Sequence, residues 1–429
     1  MLDFIGSSLI NLFLEIFGRS QIKLEPLQLI AWQNAAIFTL PPVQPDLVAE
    51  KIVQNYLQNL SQAGIDSNQQ GIWLQSDWTE LVNHQGTIAI PAASLTKIAT
   101  TLAALLEWSP DYQFETSIYT NGKIVNGILT GDLIVTGSGD PFFVWEEAIA
   151  LGNALQQLGI TQVQGNLIVT DKFYMNYESD AQRAGELLKQ AFNANLWSNE
   201  AKQQYSTLPP DTPKPQIAIL GKVQISNSLP SSTQLLLTRS SLPLSEILKQ
   251  MNIYSNNKMA QMLADLLGGA NQVAYTVAQA IEVSQSEIQL INGSGLGEEN
   301  RLSPRAVCRM LMKIDSLLST HPLEVADLLP TAGRDRVGTM QNRSIPVGIS
   351  VKTGTLNRVS ALAGTIPTQT QGQIWFAIIN SGNQTDYYRQ QQDRLIKQLA
   401  QHWQLQKTTF NNSATSYLGD PKRNFQAEL

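Results

Sequence analysis

The stretch Pro91-Ala-Ala-Ser-Leu-Thr-Lys-Ile-Ala-Thr-Thr-Leu-Ala-Ala-Leu-Leu106 constrains this chain more than any other. Leu95, Ile98, Ala99, Leu102, Ala103 and Leu106 recur at intervals of three and four, which predicts a helix with one buried stripe. Ser94 stands at its start and Lys97 three residues on, so hydroxyl and amine share a face one turn apart. The positive end of the helix favours a serine alkoxide, and burial of the first turn disfavours a charged Lys97. A lysine neutralised in this way can take the serine proton and so create a nucleophile. Ser-x-x-Lys alone is a cheap pattern, present also at Ser20 to Lys23 and Ser255 to Lys258, and a lone Ser94 could be no more than a helix cap.

Composition removes several classes of function. A net charge of −6 leaves no basic footprint, so no nucleic acid partner is expected. The three histidines, His84, His321 and His402, lie far apart without metal-ligand spacing, and no metal is expected. Neither a Walker loop nor a dinucleotide fingerprint occurs, so no cofactor is expected. Cys308, the single cysteine, has no partner for an internal disulfide and falls on the packed face of a helix predicted over 303–317.

At 429 residues the chain has room for two or three domains. Residues 1–17 are apolar but carry Asp3 and Glu15 and lack a basic start, a poor fit to a cleaved secretory signal. They suit a peripheral membrane contact or an amphipathic helix docked on the protein, and residues 1–44 form an N-terminal segment ending at prolines 41, 42 and 45. A helix from Asp46, strands near 71–75 and 87–90 and the Ser94 helix then suggest an α+β layer. Short β-type runs between glycine turns follow, implying a mostly β insert over 111–242 with one helix near 144–158 and a loop over 202–215. Asp140-Pro141 within it reads as a turn. Helical pattern resumes at Leu244, Met259 to Leu267 form another helix, and three strand runs over 346–356, 358–366 and 373–380 make a meander. A helix over 385–404 closes the fold, so 45–110 and 243–404 compose one catalytic domain, and 405–429 is a polar tail expected to be disordered.

Two further short motifs stand beside Ser94. Ser255-x-Asn257 lies on a loop before a helix, and Lys352-Thr353-Gly354-Thr355 lies in the first strand of the meander. Each is weak alone, yet in this order and on these elements they reproduce the Ser-x-x-Lys, Ser-x-Asn, Lys-Thr-Gly set of penicillin-binding proteins and serine β-lactamases. Gly131-Asp-Leu-Ile-Val-Thr-Gly-Ser-Gly-Asp-Pro141, Asn292-Gly-Ser-Gly-Leu and Leu362-Ala-Gly sharpen the match. From about 46 to 404 the chain resembles the D-alanyl-D-alanine carboxypeptidases of the S13 (DacB) family, the low-molecular-mass class C penicillin-binding proteins. Two departures are Asn292, where the family usually has aspartate, and extra residues in Gly333-Arg-Asp-Arg-Val-Gly338.

The resemblance implies an antiparallel sheet flanked by helices and a serine D,D-carboxypeptidase acting on peptidoglycan stem peptides in the periplasm or cell envelope. D,D-endopeptidase activity and covalent inhibition by β-lactams come with it. Ser94 would attack, Lys97 accept its proton, Ser255 relay the proton to the leaving group, and Asn257 hold Lys97 and the substrate amide. Lys352 would offer positive charge to the terminal carboxylate, with the Thr353 and Thr355 hydroxyls, while the Ser94 and Thr355 amides form the oxyanion hole. Gly354 would leave room for the incoming substrate backbone lying along this strand. A non-catalytic cell-wall or β-lactam sensor, and a β-lactamase or esterase, stay open as alternatives.

Overall fold

A computed structural model of the chain describes residues 46–429 except 171, 409, 411–415 and 428–429. The expected contact segment at 1–17 and the Ser20 to Lys23 pair lie outside the described residues. Helix α1 (Leu47–Gln62) begins where the Asp46 carboxylate accepts from the Ala49 amide, and it buries Ala49, Val53, Tyr56 and Leu60. Strands β1 (Gln70–Ser76) and β2 (Glu80–His84) form a hairpin, whereas the strand expected over 87–90 shrinks to Ile90–Pro91. A 3₁₀ turn, Ala93–Leu95, then leads into helix α2 (Thr96–Glu107).

The next stretch runs β3 (Glu115–Thr120), β4 (Leu133–Gly137), α3 (Trp145–Gln157), β5 (Leu167–Thr170), α4 (Ala181–Ala191), β6 (Val223–Ser226) and β7 (Gln234–Ser240). Strand β5 pairs in parallel with both β4 and β6. Strands with both faces covered read as unbroken apolar runs, the form of Leu133-Ile-Val and Leu167-Ile-Val. Besides the helix expected near 144–158, α4 and a further helix, Asn199–Tyr205, occur here, the latter cutting into the expected loop at 202–215. One apolar core drawn entirely from residues between Ile118 and Leu237 holds these elements together.

Four helices follow: α5 (Leu244–Tyr254), α6 (Asn257–Leu266), α7 (Ala270–Ala280) and α8 (Pro304–Leu318), the last carrying a fully buried Cys308. The meander is β8 (Ser350–Leu356), β9 (Val359–Thr368) and β10 (Gly372–Ser381), after which α9 (Thr385–His402) crosses back. These strands join β1 and β2 in one antiparallel sheet of order β8-β9-β10-β1-β2. Period-two alternation divides the sheet's side chains between two cores. Ile72, Leu74, Leu362 and Phe376 pack with α1 and α9, while Trp73, Ala361, Ala363 and Trp375 pack with α2 and α8.

Residues 416–427 of the polar tail depart from its expected disorder. Strand β11 (Asn424–Gln426) pairs antiparallel with β7, placing Asn424 opposite Arg239 at the edge of the six-stranded sheet. Arg423 buries its guanidinium against Glu147, which also receives Arg239 Nε at 2.7 Å. The buried ion cluster overrides a composition that, read locally, favours solvent.

Candidate active site

Three groups converge on one amine. Lys97 Nζ lies 3.0 Å from Ser94 Oγ, 2.7 Å from Asn257 Oδ1 and 2.7 Å from the Ser294 carbonyl oxygen. The latter two oxygens only accept, so each claims an amine proton. A neutral amine has two protons, and the lone pair left over faces the Ser94 hydroxyl. Lys97 has no exposed surface, and burial pushes its pKa down to about 7. The other described Ser-x-x-Lys pair does not act as one, since Lys258 is exposed and Ser255 turns to a different lysine.

Backbone strain and close packing make this meeting possible. Ala93 and Ser255 both adopt left-handed conformations, with φ of 48° and 52°, although neither is glycine. Gly295, at φ 83°, lies so close to the Ala93 carbonyl that a Cβ there would come within 1.9 Å of its oxygen. The loop bearing Ser294 is shaped by Asn292, whose Oδ1 accepts from the Ser294 and Gly295 amides at 3.1 and 2.8 Å. Its Nδ2 donates to the Leu296 carbonyl at 2.7 Å, a bond an aspartate could not supply. Asn256, not Asn257, caps α6, accepting from the Lys258 and Met259 amides. Asn257 is thus free of the cap, and its Oδ1 accepts from Lys97.

Lys352 departs from its expected place. It has no exposed surface and does not line the cavity over Ser94; its Nζ donates to Ser255 Oγ at 3.0 Å and to the Thr353 carbonyl at 2.9 Å. Burial first, and the nearby Lys97 second, hold it well below the usual lysine range. The amine expected to meet a substrate carboxylate thus sits behind Ser255. Gly354 has a nearer reason than substrate passage: a Cβ would stand 2.9 Å from the Ala92 carbonyl oxygen and 3.1 Å from the Ser94 nitrogen. It lets β8 press against the turn that presents Ser94.

A cavity of about 360 Å³ opens over these groups, lined by Ser94, Ser255, Thr353 and Thr355, by parts of the loop 338–343, and by Arg389 of α9. Strand β8 is the sheet's edge; Pro330 covers its start by accepting from the Val351 amide, which leaves 353–356 as the edge beside Ser94. The stretch 333–338 carries an anchor for the cavity loop. Asp335 Oδ2 accepts from Lys249 Nζ at 2.6 Å and from the Thr331 amide at 2.8 Å, and burial brings the Lys249 pKa down to about 8. Asp140 accepts from the Phe142 amide in the turn its Asp-Pro pair suggested. Sequence reasoning missed the Ser294 carbonyl, Lys249 and Arg389. A main-chain oxygen leaves no side-chain signature, and the two cations sit within ordinary helical pattern.

The profile of the D-Ala-D-Ala carboxypeptidase 3 (S13) family matches residues 52–197 and 199–402, and the chain belongs to that family. It is 33% identical over 98 residues to the D-alanyl-D-alanine carboxypeptidase DacB of Haemophilus influenzae, covering 23% of this chain and 20% of that protein. Against a D-alanyl-D-alanine carboxypeptidase of an Actinomadura species it is 30% identical over 186 residues, 39% of this chain and 34% of the relative. The matched stretches thus span between a fifth and about a third of these curated relatives. Among solved structures, a predatory peptidoglycan endopeptidase of Bdellovibrio bacteriovorus superposes with a TM-score of 0.71 at 20% identity, covering 83% of this chain and 98% of the other. Penicillin binding protein 4 (dacB) of Haemophilus influenzae superposes at 0.60 and 19% identity, covering 81% and 98%. The chain shares the fold of both.

Proposed function

We propose that the protein is a serine D,D-carboxypeptidase that removes the terminal D-alanine from peptidoglycan stem peptides through an acyl-enzyme. The observation that carries this is the Lys97 amine, held by two pure acceptors so that its lone pair meets the Ser94 hydroxyl. Ser94 Oγ attacks the carbonyl of the penultimate D-alanine while its proton passes to Lys97. The tetrahedral oxyanion rests on the Ser94 and Thr355 amides. As the C–N bond breaks, the proton travels by way of Ser255 to the departing amine, and D-alanine leaves. Water, deprotonated by Lys97, then cleaves the ester and restores Ser94.

Asn257 holds Lys97 and the substrate amide, and Thr353 lines the seat of the terminal residue. In this scheme Lys352 holds Ser255 in place. The stem peptide lies along 353–356 as an added strand. Since that edge admits any extended peptide, D,D-endopeptidase action on cross-links is a second activity of the same site. β-Lactams acylate Ser94 as substrate mimics, and the place of action is the cell envelope, where such peptides lie.

Fluorescent penicillin followed by peptide mapping tests the nucleophile, and D-alanine release from a pentapeptide tests turnover. Label on Ser94 with release of D-alanine is the expected result. Label without release would make the protein a sensor, and absence of label on Ser94 would overturn the acyl-transfer scheme.

A further inference from the structure

The cavity over Ser94 needs a cation for a substrate that ends in a carboxylate, and the lysine of the Lys-Thr-Gly motif does not supply it. Lys352 is sealed from the cavity, with its amine spent on Ser255 and on a main-chain carbonyl. Arg343 lines the cavity, yet its side chain is only 5% exposed and its Nε donates to Asp393 at 2.8 Å, with Nη2 also on Gln392. A guanidinium neutralised by a carboxylate only 13% exposed has little field left for a ligand.

Arg389 is placed differently. Its side chain is 41% exposed, and its acidic neighbour Asp386, one turn away at 3.3 Å, is itself 87% exposed, so that pair is weak and readily exchanged. Its Nη2 donates to Thr355 Oγ1 at 2.9 Å. The Thr355 oxygen accepts in that bond, which leaves the hydroxyl proton free to donate in turn. A carboxylate set beside Thr355 would meet a hydroxyl donor and a fork of guanidinium N–H groups on one side of the cavity, with Ser94 in the same cavity.

Building on the carboxypeptidase reading above, we infer that Arg389, together with the Thr355 hydroxyl, binds the free α-carboxylate of the residue whose amine leaves. It is a substrate-binding and specificity-determining residue reached from α9, far along the chain from the three motifs. Carboxypeptidase and endopeptidase substrates share the recognised feature wherever the leaving residue keeps that carboxylate free.

The test compares an N-acylated peptide ending in D-Ala-D-Ala with its C-terminal carboxamide, using the full chain as wild type, Arg389→Gln and Arg389→Lys. The wild type favours the acid, and the ratio of kcat/KM for acid over amide falls about 10- to 100-fold in Arg389→Gln. Arg389→Lys recovers part of that ratio, since charge returns without the planar fork. An unchanged ratio in Arg389→Gln, with the wild type turning over and Ser94 acylated by intact-mass measurement, overturns the role of Arg389 alone. Absence of both turnover and Ser94 acylation in the wild type overturns the carboxypeptidase reading and this assignment with it.

Discussion

Two of the places where the protein buries charge treat it in opposite ways. Between the tail and the intervening sheet, Glu147 receives Arg239 and Arg423, with side chains of all three no more than 9% exposed. Burial alone would raise the Glu147 pKa, but the two guanidiniums more than offset it and hold the carboxyl below its ordinary value. In the cleft, Lys97 and Lys352 are buried as deeply with neutral acceptors and a second lysine as company, and among the described residues no carboxylate touches either. Paired burial keeps charge and fastens a chain end. Unpaired burial expels the proton and leaves a base.

Removing the base should produce the largest effect. Lys97→Met keeps the apolar stem and removes the amine, and Ser94 acylation by penicillin is expected to fall by about 10⁴-fold or more. Stopped-flow or gel-based labelling reads this; a loss under tenfold would mean Lys97 is not the acceptor. The wild-type pH profile sharpens the point. With Lys97 near 7, the amine is protonated and idle below that pH, so acylation rises about tenfold per unit up to roughly 7 and then levels. The sign for stability is fixed as well. A lysine whose folded pKa lies below its unfolded value costs stability fully below about 7, and the cost is relieved as pH rises toward the unfolded value.

Breaking the paired side should hurt folding instead of chemistry. Glu147→Gln leaves two buried guanidiniums without a carboxylate, a change worth roughly 3–5 kcal/mol of destabilisation. The tail and the edge of β7 should loosen first, visible as faster hydrogen exchange over 417–426, while the folded fraction still acylates at the wild-type rate. The native contribution of Glu147 is present above the unfolded carboxyl value and is lost as pH falls through its lowered folded one. Undiminished protection of the tail in Glu147→Gln would show that strand pairing alone secures it.

The same contrast explains what the sequence made legible. Ser94, Lys97, Ser255, Asn257 and the strand at 352–355 were readable because the chemistry restricts residue type and spacing, and the meander and α9 because their apolar periods are strong. The tail was not, since Asn424-Phe-Gln becomes a strand only through β7, and Arg423 looks like a solvated cation until Glu147, far away in the chain, is brought to it. Helix Asn199–Tyr205 depends on the Ser198 cap, accepting from Ala201 at 3.1 Å, more than on an apolar face, and only Ala201 of it is buried. The Lys-Thr-Gly motif tells that Lys352 stands at the cleft but not which way its amine faces, and the structure turns it to Ser255.

The smallest predicted effect tests the exposed limit of this contrast. Asp386 competes for Arg389 at 3.3 Å from a position 87% exposed, so its hold is screened by water and salt. Asp386→Asn should leave thermal stability unchanged and raise kcat/KM for a peptide with a free C-terminal carboxylate by less than about threefold, through KM, with the gain shrinking as salt is added. The direction matters more than the size. A partner that only weakly neutralises Arg389 lets the substrate carboxylate displace it, whereas a mostly covered partner such as Asp393 on Arg343 could not be displaced without leaving a charge stranded. A fall in kcat/KM for the free acid in Asp386→Asn would mean that Asp386 aims the guanidinium at Thr355 and does not compete for it.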